Sequence, residues 1–576
     1  MTHDLVIRGG TVADGRGSPL VEADIAIDDG RITAVGKVVD GGREEIDARG
    51  LLVAPGFVDI HSHYDAQAIW DDRLLSSGWH GVTTTVMGNC GVGFAPVHDA
   101  DHDLLIELME GVEDIPADAM REGLSWEWSS FPEYLDALER RPHDMDVCAQ
   151  LPHSALRVYV MGERAARREA ATKDDIAAMR KLACEAVKAG AMGFTTSLSL
   201  NHRTAKGELI PSMGSDKEEL AGVAMGLTDA GRGVLQMILN LGPDPAERER
   251  EFAVARYMAE QSGRPLSLTV LQRIRDPEGW RHTMGMMEQA VADGLVMHAQ
   301  TTPRPLGTLF GLDMPRHPFC FHPSYKAIAD APLEKRVAIM RDPAFRAKLL
   351  AEDASDTDPF LVTRVQNFNY MFPFGDPPNY SPAPESSAAA VAKARGVSPF
   401  EVAYDWLLED EGHAMLFAPN SGFGNYSLDG CRAIMENPLA VVSIADGGAH
   451  VAHISDTSFS TFLLTYWGRD RREGKLDLSW LIKRMTSDTA AVVGLNDRGV
   501  IAPGFKADIN VIDHDRLVIE RPYMVHDLPK GGKRLLQKAR GYVATIVSGQ
   551  TVYREGEATG ALPGKLVRGA QAAPAA

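Results

Sequence analysis

Eight short apolar runs recur between residues 53 and 444 of this chain, with longer stretches between them. The first ends Phe57-Val58-Asp59-Ile60-His61-Ser62-His63. The others are Val82–Met87, Val147–Leu151, Met192–Thr196, Val234–Ile238, Leu266–Leu271, Leu295–His298 and Ala440–Ile444. Intervening segments such as Lys173–Ala189 and Ala246–Ser262 carry helical patterning. Strands alternating with helices make a parallel sheet, and eight such units predict a (β/α)8 TIM barrel. The expected class is α/β.

The two ends of the chain depart from this repeat and match each other. Leu5–Ile7, Ala23–Ile27 and Arg31–Val35 are strand-like, punctuated by turns at Gly9-Gly10 and Asp29-Gly30. Ala507–Asp513 and Tyr542–Gly549 have the same texture. Residues 1–55 and 496–566 are therefore expected to form one small β-sandwich, with the barrel over 56–495 and Pro55-Gly56 as the break between them. Ala570–Ala576 reads as a loose tail. Asp99–Arg140, with Trp126-Glu127-Trp128, exceeds an ordinary βα connection, as does a long insertion at about 301–401. Connections of that length are often lids or binding elements. The aromatic run Phe368–Phe374 could line an apolar pocket there, or pack the insertion onto the barrel or a second subunit.

Composition narrows the partners. At 576 residues, 44% hydrophobic and 24% charged, the chain suits a soluble globular protein of at least two domains. A formal charge of -20 opposes approach to nucleic acid or an anionic membrane surface. Its apolar runs fall short of the roughly 18 residues that a membrane helix needs. The N-terminus enters strand-like sequence at once, without a basic region and apolar leader. Five scattered cysteines make no disulfide framework. The expectation is a reduced, cytoplasmic protein acting on a small molecule, with a homo-oligomer left open.

Active sites of such barrels sit at the C-terminal ends of the strands. Side chains alternate along a strand, so Phe57, Asp59, His61 and His63 share one face while Val58 and Ile60 take the other. Two imidazoles at a strand end can reach a single metal ion, although a packed pair of core histidines would give the same spacing. Met87-Gly88-Asn89-Cys90-Gly91 sets a thiol in a Gly-flanked turn just past the second run. Lone cysteines are usually buried small hydrophobes, but a thiolate at a strand end is a strong zinc ligand. The eighth run ends Ser443-Ile444-Ala445-Asp446-Gly447-Gly448-Ala449-His450. A carboxylate closing an apolar run is costly unless it is paired or functional; the plainer alternative is a helix N-cap.

Pro55–His63, Thr83–Gly93, Gly499–Asp508 and Val547–Tyr553 together resemble the metal-dependent amidohydrolase superfamily, in its D-aminoacylase (N-acyl-D-amino-acid deacylase) branch. The resemblance runs from Asp4 to about Gly564. It implies a zinc-dependent barrel hydrolysing the amide bond of an N-acyl-D-amino acid. It also implies Cys90 as a metal ligand, in the bridging place held elsewhere by a carboxylated lysine, and Asp446 as the catalytic residue. Near a metal-activated water such a carboxylate accepts a proton and returns it to the leaving amine.

The departures matter as much. That branch carries metal-binding histidines on strands five and six, whereas these runs offer only Gln236, Asn240 and Gln272. Amide oxygens replace imidazole poorly on zinc. One tightly bound zinc on His61, His63 and Cys90 is therefore expected, with a second metal absent or weak. His298, ending the seventh run, is a further candidate as ligand or substrate contact. For the substrate, the candidates are His202, Arg203, Gln236, Gln272 and His450, with Arg157 and His453 behind them; an arginine fork suits a carboxylate. Two alternatives stand beside this reading. A cyclic-amide hydrolase of the hydantoinase kind needs a lysine that Phe194-Thr195-Thr196 does not supply. A catalytically inactive barrel kept for binding would have no use for the His61, His63, Cys90 and Asp446 set.

Overall fold

The computed structural model describes residues 2–355 and 359–575. Eight parallel strands run through its centre. They are β1 Phe57–Asp59, β2 Val82–Met87, β3 Asp146–Ala149 continued by Leu151–Pro152, β4 Gly193–Ser197, β5 Val234–Ile238, β6 Leu266–Thr269, β7 Met297–Thr301 and β8 Ala440–Val442. Each pairs with its neighbour in sequence, β1 to β3 in one sheet and Leu151–Pro152 to β8 in another. The two sheets share β3 through Gln150, whose N–H donates to the Met87 carbonyl at 2.9 Å. On the far side, Ser62 and Gly447 form a parallel bridge, and the His63 N–H donates to the Gly447 carbonyl at 2.7 Å.

Alternation along β1 works as a strand dictates. Val58 and Ile60 turn outward into a cluster with Val86, Cys148, Met192, Val441 and Val492. The helices behind the strands are set by their own sequence. Lys173–Ala189 opens on a Thr172–Asp175 capping box and stops at Gly190. Met179, Ala183, Ala186 and Val187 are its buried face, at helical spacing.

Strands from the two chain ends lie side by side. A nine-stranded sheet holds His3–Val12, Val21–Asp28, Arg31–Gly36, Gly42–Asp47 and Leu52–Pro55 with Ile509–Ile512, Tyr542–Val547, Gln550–Arg554 and Glu557–Ala558. Its core mixes Leu5, Ile7, Ile25 and Val53 with Ile509, Val511 and Ile546. The expected loose tail is corrected in part: Gln571 pairs with the Gly494–Asn496 backbone at 2.9 and 3.0 Å.

The long insertion runs further than 401. It contributes an antiparallel sheet of Leu306–Phe310, Leu416–Ser421 and Phe372–Pro373, and a core of its own around Phe319, Val337, Met340, Tyr404 and Leu407. Packing accounts for the aromatic run. Phe368 meets Phe400 with ring centroids 4.6 Å apart, Phe374 meets Tyr380 at 5.2 Å, and Tyr370 stacks on Tyr426 at 4.5 Å. Among the described residues no helix is long and apolar enough to cross a membrane.

Candidate metal centre

At the C-terminal ends of β1, β2 and β8 four side chains converge. The Cys90 sulfur lies 3.4 Å from His61 Nε2 and 3.6 Å from His63 Nε2. Asp446 Oδ1 lies 3.4 and 3.9 Å from the same two nitrogens. Zinc bonds of about 2.0–2.3 Å in a tetrahedron put neighbouring donors about 3.3–3.7 Å apart. The spacing, and the mix of imidazole, thiol and carboxylate, fit a zinc ion.

Local chemistry explains how the sequence reaches this arrangement. His61 and His63 follow β1 on one face, and Cys90 sits in the Asn89–Gly91 turn with φ of 56°. Gly88 begins that turn at φ 85°, where a Cβ would lie 2.3 Å from the Gln150 carbonyl oxygen, so only glycine serves there. Thr195 pins the turn: its hydroxyl donates to the Gly88 carbonyl and accepts from the Gly91 N–H. His61 Nδ1 faces Gln300 Oε1 at 2.8 Å, and Gln300 Nε2 donates to Ser267 at 3.0 Å. The amide oxygen can only accept, so Nδ1 carries the proton and the Nε2 lone pair points at Cys90 and Asp446.

Electrostatics without an ion favour neutral donors. Burial, and then the nearby His61, His450 and His202, hold His63 well below the usual imidazole range. Burial also pushes the Cys90 thiol well up, with Glu113, Asp446 and Asp65 adding to it. A thiolate there needs a cation beside it.

Two acids from the Asp99–Arg140 stretch complete the surroundings. The helix His102–Glu113 ends on Glu113, and Asp114 follows in the left-handed conformation. Glu113 Oε1 lies 3.3 Å from His63 Nδ1, and burial pushes its carboxyl up to about 8. Asp114 Oδ2 receives His450 Nδ1 at 2.7 Å and faces His453 Nε2 at 3.2 Å, while Arg316 reaches Oδ1 at 3.1 Å. Burial would raise Asp114, but the hydrogen bonds from His450 and His453 outweigh it and hold the carboxylate low. Burial would likewise lower His450, yet Asp114 carries it up to about 9. A 2.7 Å contact is a hydrogen bond rather than the edge of a metal polyhedron, so this second His–Asp–His cluster is a hydrogen-bonded group with Asp114 paired to a charged His450.

Of the residues expected at the site, His61, His63, Cys90, Asp446 and His450 come together. His202 bonds Ser197 at 2.9 Å; burial lowers it to about 4, with His450 and His61 adding to that shift. Gln236 is buried on β5 with both amide atoms lacking a partner among the described residues. Four others lie elsewhere. Gln272 is taken up bracing a loop, accepting from the Gly424 N–H at 2.9 Å and donating to the Pro277 carbonyl at 3.2 Å. Arg203 is exposed and donates to Gly207 within its own loop. Arg157 is buried against Glu219 at 2.6 Å. His298 opens β7 rather than ending it, because the strand runs Met297–Thr301; Gln300, two residues on, is the one that meets His61.

Sequence reasoning missed Glu113, Asp114 and Gln300. A signal existed for the acids: negative charge in a helix's last turn opposes the helix dipole, so an acid pair there calls for another cause. For Gln300 the signal was strand alternation, which puts it on the same face as His298 in Met297–Thr301.

The likeness to known proteins follows the same lines. The D-aminoacylase of Alcaligenes xylosoxydans xylosoxydans is 38% identical over 194 residues, which is 34% of this chain and 37% of that protein. The N-acyl-D-aspartate deacylase of the same organism is 27% identical over 581 residues, 99% of this chain and 96% of that one. The crystal structure of N-acyl-D-glutamate deacylase from Bordetella bronchiseptica, complexed with zinc and a phosphonate inhibitor, shares the fold. It covers 99% of this chain and 100% of its own with a TM-score of 0.65 and 23% identity. Residues 44–553 match the sequence profile of the amidohydrolase family, and the chain belongs to that family.

Proposed function

We propose that this protein hydrolyses the amide bond of an N-acyl-D-amino acid or a related N-acyl compound, as the D-aminoacylase branch of its family does. The observation that carries the reading is the buried His61, His63 and Cys90 cluster with Asp446 at 3.4 Å on its open side. These three residues would hold one zinc ion, and Asp446 would face it. Zinc bound there supplies a Lewis acid that polarises a carbonyl and makes water acidic, with a pKa of about 7. Asp446 takes the proton of the attacking water and passes it to the nitrogen of the leaving amine. His450, held cationic by Asp114, suits the substrate carboxylate, with His202 and Gln236 as further candidate contacts.

The eight strands are best read as a closed (β/α)8 barrel; the Ser62–Gly447 bridge between the β1 and β8 ends supports this. The shared nine-stranded sheet supports residues 1–55 and 496–566 as one β-sandwich, with 56–495 as the catalytic unit. The Cys90 thiol and four other cysteines, all free, suit the reducing cytoplasm.

The test is a hydrolysis screen over paired D- and L-N-acyl amino acids with zinc-loaded protein, alongside elemental analysis. One zinc per chain and turnover confined to the D series are expected. Stoichiometric zinc without hydrolysis of any N-acyl compound would overturn the reading and leave a cyclic-amide hydrolase or an inactive metal-binding barrel.

A further inference from the structure

The two histidines of the β1 pair have unlike supports. His61 Nδ1 is satisfied by a neutral amide, Gln300 Oε1 at 2.8 Å. His63 Nδ1 is buried and has no hydrogen-bond partner among the described residues. Glu113 Oε1 is in the same position: buried, unpartnered and 3.3 Å from that nitrogen. Two orphaned polar atoms facing each other in a dry site cost free energy that a small rotation would recover. An orphan pair of this kind is kept when function needs it.

The helix that delivers Glu113 is fixed by its next residue. Asp114 is tied to His450, His453 and Arg316 at 2.7, 3.2 and 3.1 Å. The His450 N–H also donates to the Glu113 carbonyl at 2.5 Å. Glu113 is therefore aimed at His63 by the loop that follows the Asp446 strand end.

We propose that Glu113 is the positioning residue of His63: its Oε1 accepts the His63 Nδ1–H, fixing the ring and leaving Nε2 as the metal donor. A ligating histidine whose other nitrogen meets a carboxylate binds metal more tightly, and losing that partner typically costs about 10–100-fold in affinity. The proposal rests on the metal reading above, and places half of the support for this centre in a segment outside the barrel repeat.

The experiment is zinc competition against a chromophoric chelator on metal-stripped wild type, E113A and E113Q, with the melting temperature of each metal-free protein measured alongside. E113A is expected to bind zinc about 10–100-fold more weakly. E113Q, isosteric and still bearing an acceptor oxygen, should lose less than E113A but still fall below wild type. Glu113 Oε2 also lies 3.8 Å from His450 Nε2, so the metal-free melting temperatures report any purely structural loss; that of E113Q, which keeps the side-chain volume, should stay close to wild type. Unchanged zinc affinity in both variants would overturn the proposal. So would a fall in metal-free stability with affinity intact, which marks a structural carboxyl. If E113A does not fold, E113Q alone decides by the same affinity criterion. Wild type that binds no stoichiometric zinc would instead remove the metal reading, and this proposal with it.

Discussion

Asp446 is the member of the cluster that solvent can reach, with a side chain 18% exposed against 2% and 1% for His61 and His63. That difference separates proton transfer from metal holding. Asp446→Asn should keep its zinc and lose about 100- to 10,000-fold in turnover, the range of a general acid–base group; elemental analysis and initial rates on one sample check both halves. Near-normal turnover would remove Asp446 from the mechanism. Cys90→Ala should do the reverse and strip most of the zinc. The turn around it is held by Thr195 and Asn89, not by the thiol, so far-UV circular dichroism should stay unchanged. Full zinc occupancy in that variant would show that the sulfur is no ligand. The four converging residues were legible in sequence because each lies within four residues of a strand end, and because the resemblance to the D-aminoacylase branch marked Cys90 and Asp446. Gln300 was not: placing the β7 end three residues early put His298 at the mouth instead.

Glu113 and Asp114 depend on how one helix is seated. His102–Glu113 lies against the loop after β4, and Gly111 is the point of closest approach. A Cβ there would meet the Thr204 carbonyl carbon at 2.1 Å, with Ala205 N and Arg203 O at 2.3 Å. All three are backbone atoms, which cannot swing aside. By helix propensity alone Gly111→Ala should stabilise by about 1 kcal/mol. The expectation is the opposite: a lower melting temperature, together with faster zinc loss on dialysis as Glu113 and Asp114 shift. A more stable variant that retains zinc would show that the helix does not seat the site. Elements whose ends carry their own signals were readable. Lys173–Ala189 was read from its helical patterning with the bounds it has, and its Thr172 cap and Gly190 stop fix those ends. The Tyr523–Leu528 and Gly532–Leu536 hairpin had no such pattern, since its strands are only partly buried and mix charged with apolar side chains.

Across the whole molecule, the catalytic strands and the shared terminal sheet are joined by a buried ionic network. Arg498 donates to Asp146 at 2.7 Å and to Thr84 at 2.9 Å. Lys506 lies 3.0 Å from Asp146 and 2.6 Å from Asp508. The Asp508 side chain in turn accepts from the Ser548 N–H at 2.8 Å. Nothing local in the sequence announces this link, because Thr84 and Asp146 on the strands are more than 350 residues from Arg498 and Lys506. Burial alone would raise Asp146, but Lys506 and Arg498 outweigh it and keep the carboxylate charged. Asp146 begins β3, at the end of the strand away from the metal cluster. Asp146→Ala leaves two buried cations short of a counter-charge, and breaking such a pair from one side costs about 3–5 kcal/mol. The urea midpoint should fall accordingly while zinc per folded chain stays at the wild-type value. Arg498→Met combined with Asp146→Ala should cost less than the two single changes summed, because the second removes a charge the first has stranded. A strictly additive pair would show that Arg498 and Asp146 are not coupled, and loss of zinc from folded Asp146→Ala would mean that the network serves the site directly and does not simply fasten the C-terminal segment to the strands that carry it.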